Sequence, residues 1–255
     1  MMANSIYRPE MRSGLVWLRR DLRLHDHHAL RMAIKQCHSV FVTFIFDTDI
    51  LQPLLDKGLT RDRRVDFIHQ SLVEIDAELK QFGGGLIVRH GKPSEIIPNL
   101  AKELNVQTVY TNKDYEPAAI ARDESISLAL ENINIEFQSF KDHVIFEKLE
   151  VLTGQGGVFS VFTPYKNAWL KKLDPVDLNA HAVDLSSGHL GSIPKHLNFG
   201  IPSLNSLGFE KTGIESYLPA GMSGASRFFE DFLHRVNQYH ATRDYPAIKG
   251  PSYLS

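Results

Sequence analysis

The chain has 255 residues, 43% of them hydrophobic and 23% charged, a composition that excludes disordered and collagen-like classes and suffices for one large domain or one domain plus part of a second. Lys and Arg total 28 against 30 Asp and Glu, a formal charge of -2, so any contact with nucleic acid has to come from a local basic patch. The single cysteine, Cys37, excludes an internal disulfide, and no cysteine and histidine set has zinc-finger spacing, which together point to the reducing cytoplasm and to no metal site. Residues 1–13 are polar and read as a loose leader, and no window approaches the roughly 20 apolar residues that span a bilayer, so no membrane association is expected.

Short apolar runs alternate with amphipathic stretches through the first half, the pattern of a parallel sheet with helices on both faces. Strands are predicted at Leu15–Leu18, Val40–Phe46, Leu86–Arg89, Thr108–Thr111 and Ile133–Gln138. The first strand runs into Arg19, Arg20 and Arg23, three guanidinium groups at the strand end, where open α/β sheets build ligand crevices. Charges there require carboxylate or anionic partners. A helix is predicted from an Asp26 N-cap through His28 to Gln36, and a longer one from Arg63 to Phe82, with Val65, Phe67, Ile68, Leu72, Ile75 and Leu79 as its apolar face. Three glycines from Gly83 end it. Pro93 opens the next helix, with Ser94 available for capping and Leu100 and Leu104 on its apolar face.

After about Asp142 the rhythm changes. Thr153 to Gly157 reads as a turn between two extended runs, and Phe162 to Trp169 as a turn into a short helix with Pro164 near its start. From Asp174 to about Ala220 the chain is rich in Pro, Ser, Gly and Asn, a linker that crosses a domain surface rather than folding alone. A second helical pattern starts near Ala225 and carries Phe228, Phe229, Phe232, Leu233 and Val236. The expected organisation is therefore a leader (1–13), an α/β domain (14–142) with a doubly wound, mostly parallel five-stranded sheet, a linker (143–220) and the start of an all-helical domain (221–255).

Neither GxGxxG after the first strand nor GxxxxGK[ST] occurs, which removes the main support for dehydrogenase and kinase readings. His25, His27 and His28 beside Asp26 do not converge on one point and read as a polar helix start rather than a metal site. Asp47 and Asp49 follow the second strand at the sheet edge that carries Arg19, where solvation and pairing with those arginines is the plain alternative to ligand binding. Asp114 and Glu116, after the fourth strand, have the chemistry to accept ring N–H groups of a polar heterocycle with Tyr115 as an apolar face, or to cap the next helix and pair with Arg122. Spacing leaves both open. The final stretch ends in hydroxyls around a Gly-Pro turn, donors that suit phosphate but more often make only a turn.

Five separated segments, WLRRDLRLHDHHAL, FDTDIL, NKDYEPAAIARD, VFTPYKNAWLKKL and RDYPAIKGPSYLS, occur in an order that resembles the DNA photolyase and cryptochrome family. The fourth looks most similar to bacterial enzymes that act on cyclobutane pyrimidine dimers. The resemblance implies an amino-terminal Rossmann-like α/β domain holding a light-harvesting antenna chromophore, and a carboxy-terminal helical domain holding FAD and receiving a dimer flipped out of UV-damaged DNA. It implies the reaction of a deoxyribodipyrimidine photo-lyase, electron donation from excited reduced FAD, or in the alternative a cryptochrome-type blue-light photoreceptor. Tyr239, Ser252 and Ser255 match FAD contacts on its phosphate and ribose side, and Pro251 stands where the family commonly has threonine. Most of the helical domain is not in these residues, so the chain is expected to be the amino-terminal part of a longer protein, without repair activity and with no obligate protein partner. Arg19, Phe46, Asp47, Asp114 and Glu116 match the antenna pocket. Ala118 and Ala119 replace the adjacent Asn-Glu pair of folate-using members, so a deazaflavin or flavin antenna is favoured over methenyltetrahydrofolate.

Overall fold

A computed structural model describes residues 12–245, 247 and 248. Five parallel strands, β1 (Ser13–Leu18), β2 (Ser39–Asp47), β3 (Leu86–Gly91), β4 (Thr108–Asn112) and β5 (Glu136–Phe140), form one sheet in the order β3-β2-β1-β4-β5. β1 is central: Val16 aligns with Val42 of β2 on one side and with Tyr110 of β4 on the other. Alternate residues along each strand supply two separate cores, as the twofold period of a strand requires. Val16, Leu18, Val42, Phe44 and Val88 face α1 (His28–Gln36) and α3 (Arg63–Gln81). Leu15, Trp17, Ile45, Ile87 and Val109 face α4 (Pro93–Glu103) and α5 (Pro117–Glu131). Gly14 is required where α1 meets β4, because a Cβ there would lie 2.8 Å from the Tyr110 ring and 2.9 Å from Cys37 Sγ.

Five local features differ from the sequence expectations. His27, not Asp26, is the N-cap of α1: its Nδ1 accepts the Leu30 amide, while Asp26 sits at φ 46° with its carboxylate bonded to the His181 amide. The last strand begins at Glu136 rather than Ile133, because the amides of Ile133 and Ile135 both return to Leu130 O and Asn134, at φ 58°, closes α5. The residues after β2 form a further helix, α2 (Thr48–Asp56), started by the Asp47 carboxylate accepting the Asp49 amide. Ser94 makes no capping bond; Pro93 alone opens α4. The segments flanking the turn at Thr153–Gly157 contain no strand.

Beyond β5 the chain makes an excursion carrying α6 (Phe162–Lys172), which has no buried residue, and then runs back across the sheet. Leu190 forms a parallel bridge to Val40, beyond the point where β3 begins its pairing with β2 at Val42 and Leu86. His189 Nδ1 sits 2.9 and 2.8 Å from the carbonyls of Ile34 and Cys37 at the end of α1. Leu185, Leu204, Leu207 and Phe209 are buried in the α1–α3 core and Leu197 in the α4–α5 core. α7 (Gly221–Leu233) then begins against α3, with Ser223 bonded through its amide and hydroxyl to Glu74. α8 (Tyr239–Thr242) follows. No helix among the described residues is long and apolar enough to cross a membrane.

A buried polar knot ties the exits of the two central strands together. Asp21, beyond β1, lies 2.8 Å from His27 Nε2 and accepts the Arg19 amide and the Asn112 side-chain amide, each at 2.8 Å. Asn112 Oδ1 takes the Ala29 amide. Because His27 Nδ1 accepts the Leu30 amide at 3.1 Å, that nitrogen carries no proton, and Nε2–H donates to Asp21. Burial by itself would raise the Asp21 carboxyl, but the His27 bond and the backbone amides outweigh it and hold it well below the usual carboxylate range.

Two outcomes follow from this packing. Phe209, 1% exposed, should cost about 3–5 kcal/mol of stability on replacement by alanine, read from denaturant unfolding, if the returning segment is part of the core. For Asp21, the unfolded chain takes up the proton first, at about pH 4, so stability present above that pH should fall as acid is added; Asp21→Asn should flatten that fall in a pH series of melting temperatures.

Candidate functional site

In a sheet of order β3-β2-β1-β4-β5 the strand order reverses at β1, so the crossovers on its two sides lead away from each other and a crevice opens between β1 and β4 at the carboxyl ends of the strands. All three arginines after β1 lie at this edge, each held by a carboxylate from a different part of the chain. Arg19 Nη1 donates to both oxygens of Asp123 on α5 at 2.7 Å, and its Nη2 donates to Asn112 O at the end of β4. Arg20 reaches Glu116 at 2.7 Å and Asp114 at 3.4 Å in the loop before α5. Arg23 reaches Asp142 after β5 at 2.6 Å.

Arg122, in the NKDYEPAAIARD segment, completes the arrangement. Its guanidinium lies 5.0 Å from the centre of the Trp17 ring, and that of Arg19 lies 4.8 Å from the same ring. It also reaches Asp47 Oδ2 and Asp123 Oδ1, both at 3.4 Å. Arg122 Nε is buried with no hydrogen-bond partner among the described residues. Sequence reasoning considered Arg122 only as a partner for Asp114 and Glu116, which pair instead with Arg20. The signal for its true position is the Arg122-Asp123 pair one turn into α5.

Two cavities flank these pairs. One, of about 670 Å³, is lined by Asp114, Tyr115, Asp123, Phe137, Glu147 and Glu150 among others. The second, of about 440 Å³, lies between the β1 exit (Arg19 to Arg23) and α3, with Phe67 and Met222 on its far wall. The Tyr115 hydroxyl, pushed up to about 12 by burial and the facing Glu147 charge, keeps its proton and donates to Glu147 at 3.2 Å.

Of the residues matched to an antenna pocket, Arg19 and Asp47 belong to the Trp17 cluster, and Asp114 and Glu116 to the Arg20 cluster beside it. Phe46 does not join them: it is 3% exposed and packs in the α1–α3 core against Phe44. Its neighbour Asp47 lies one residue on along the strand, where the alternation of faces carries it to the opposite side. Tyr239 opens α8 with its ring edge-on to Phe232. Pro251, Ser252 and Ser255 lie outside the described residues.

Asp114 and Asp123 present acceptors to the larger cavity, beside Tyr115 and Phe137. Ala118 is exposed and Ala119 is 7% exposed at the head of α5, and neither is among the residues lining that cavity.

The DNA photolyase family profile matches residues 14–183. The chain is 32% identical over 94% of its length to a deoxyribodipyrimidine photo-lyase of a Synechococcus species, of which it covers 49%. It is 30% identical, again over 94% of its length, to an uncharacterized 31.6 kDa protein of a second Synechococcus strain, of which it covers 82%. Among solved structures, a class III photolyase from Agrobacterium tumefaciens superposes with a TM-score of 0.79 at 24% identity, over 99% of this chain and 51% of that one. The chain thus spans about half the length of the named photolyases it matches. The parallel sheet, the arginines after β1 and the family match agree, and the chain belongs to the DNA photolyase family.

Proposed function

We propose that this chain is the amino-terminal, light-harvesting half of a deoxyribodipyrimidine photo-lyase, a flavoprotein that repairs UV-induced pyrimidine dimers in DNA by blue-light-driven electron transfer from reduced FAD. The residues that contact damaged DNA and most of those that hold FAD would belong to the helical domain, of which α7 and α8 are the described beginning. The chain alone is therefore expected to bind an antenna chromophore without repairing DNA.

The observation that carries the reading is the cavity beside the switch point, where Asp114 and Asp123 stand as acceptors beside Tyr115 and Phe137; the resemblance, which puts Ala118 and Ala119 where folate-using members carry an Asn-Glu pair, argues against a folate. A deazaflavin or flavin antenna suits this set: Asp114 and Glu116 would accept its ring N–H groups, and Arg20 and Arg122 would meet its acceptor oxygens or phosphate. When bound, such a group absorbs blue light and passes its excitation to FAD. The protein's own part is to orient the ring and to hold Asp114 and Glu116 in place against Arg20. Arg19, committed to Asp123 and to the Asn112 carbonyl, positions the Asp123 wall and does not itself reach for a ligand.

Absorption spectra of the purified chain with a deazaflavin, FMN and methenyltetrahydrofolate added separately test this. A saturable red-shifted band is expected with a flavin-type chromophore and none with the folate; tight folate binding with indifference to the others would overturn the assignment. Asp114→Ala should weaken flavin-type binding by about tenfold or more, the loss expected for a hydrogen bond to a charged group, measured by titrating the same band.

A further inference from the structure

The excursion 143–180 leaves the sheet after β5 and comes back before the segment that docks on β2, and its two ends meet at His28. At the departing end, His28 Nδ1 donates to Lys141 O at 2.9 Å and the His28 amide donates to Asp142 Oδ1 at 3.2 Å. At the returning end, the His181 amide donates to Asp26 Oδ1 at 2.7 Å and its carbonyl accepts the His27 amide at 3.1 Å. The two imidazoles are stacked, with centroids 3.9 Å apart and planes 14° from parallel. His181 Nδ1 is buried and has no hydrogen-bond partner among the described residues.

This geometry tolerates only a neutral His181 ring. His28 Nδ1 faces a carbonyl, which can only accept, so that nitrogen carries the proton of the neutral ring. A neutral His181 can leave Nδ1 as an unused lone pair. A protonated His181 would place a buried N–H without an acceptor, stacked against the His28 ring.

We propose that the stacked His28–His181 pair is a pH-sensitive clasp, which holds the returning end of segment 143–180 closed at neutral pH and releases it in mild acid. The charged groups facing the pair come from every element around it. Asp26 in the loop before α1 and Asp142 after β5 favour protonation of His181, whereas His28 and Arg31 on α1 oppose it. Arg23 offsets both acidic contacts, donating to Asp142 and to the Asp26 carbonyl, and His27, on the other side, is committed to Asp21. Burial, followed by the His28 charge, prevails and lowers His181 below the ordinary histidine value. The open form, with His181 in water, therefore takes up a proton first, at about pH 6.5, and opening becomes easier as pH falls from there.

The departing end has holds besides His28, because Glu147 and Glu150 are tied to Lys113 and Lys141. Residues 147–150 form one wall of the 670 Å³ cavity, so release of the other end loosens that wall without detaching it. The clasp stands independently of which chromophore, if any, the cavity takes.

Hydrogen exchange on the full chain tests the clasp, with rates corrected for the intrinsic pH dependence of exchange. Protection of the His27 and His181 amides should fall by about threefold or more between roughly pH 7.5 and pH 5.5. His181→Phe keeps an aromatic face and both backbone bonds but cannot titrate, and should show equal protection at the two values. An unchanged protection in the native chain, or the same fall in the variant, would overturn the proposal. NMR titration of His181 in the unmodified chain gives a second reading: a value below the ordinary histidine range is expected, and one at or above it would overturn the clasp without bearing on chromophore binding.

Discussion

Neutralising the arginines at the end of β1 is the constraint around which the rest of the molecule is arranged. Three guanidinium groups at Arg19, Arg20 and Arg23 cannot be left at a strand end without counter-charges. Each is met by a carboxylate from a different place: Asp123 on α5, Asp114 and Glu116 before α5, and Asp142 after β5. These pairs lock the β1 exit to everything on the β4–β5 side of the switch point. The Asp21–His27–Asn112 knot does the same beneath them with fully buried groups, joining β1, the start of α1 and the end of β4.

The same arrangement explains why ligand-facing chemistry collects where it does. Arg19 and Arg122 both lie over Trp17 and share the Asp123 carboxylate on α5, while Asp47 at the end of β2 meets Arg122. A site of this kind is preorganised: its charges are held by each other and by a buried aromatic ring rather than by solvent. The cavity on the α5 side presents carboxylates backed by arginines, and the cavity on the α3 side presents the arginines themselves.

The segment after β5 changes what the α/β domain consists of. Its composition reads as a linker, yet Leu185, Leu204, Leu207, Phe209 and Ile214 are each less than 9% exposed, and Leu190 extends the sheet beside Val40. Apolar residues spaced irregularly among Pro, Gly and Ser have no period to reveal which face they bury. They find their places because β3 begins pairing three residues after β2 starts, leaving a strip of sheet beside Ser39, Val40 and Phe41 uncovered. His181 and His189 fasten this return path at both ends of α1.

Much of the fold was legible in the residues alone. The apolar runs of β1 to β4 are short, rich in branched side chains and separated by helical periods, and that pattern permits little besides a parallel doubly wound sheet. The need of Arg19, Arg20 and Arg23 for carboxylates also follows from charge and position alone. What spacing does not contain is the choice of partner, because Asp123 and Asp142 come within reach only when β4 and β5 are laid beside β1. The N-cap at His27, the inward turn of Phe46 and the unpaired Nε of Arg122 depend likewise on contacts between segments distant in sequence. Local periodicity determined the elements and the edge where chemistry gathers; the tertiary structure decided which charges meet there, since pairing is a matter of distance in space and the sequence records only distance along the chain.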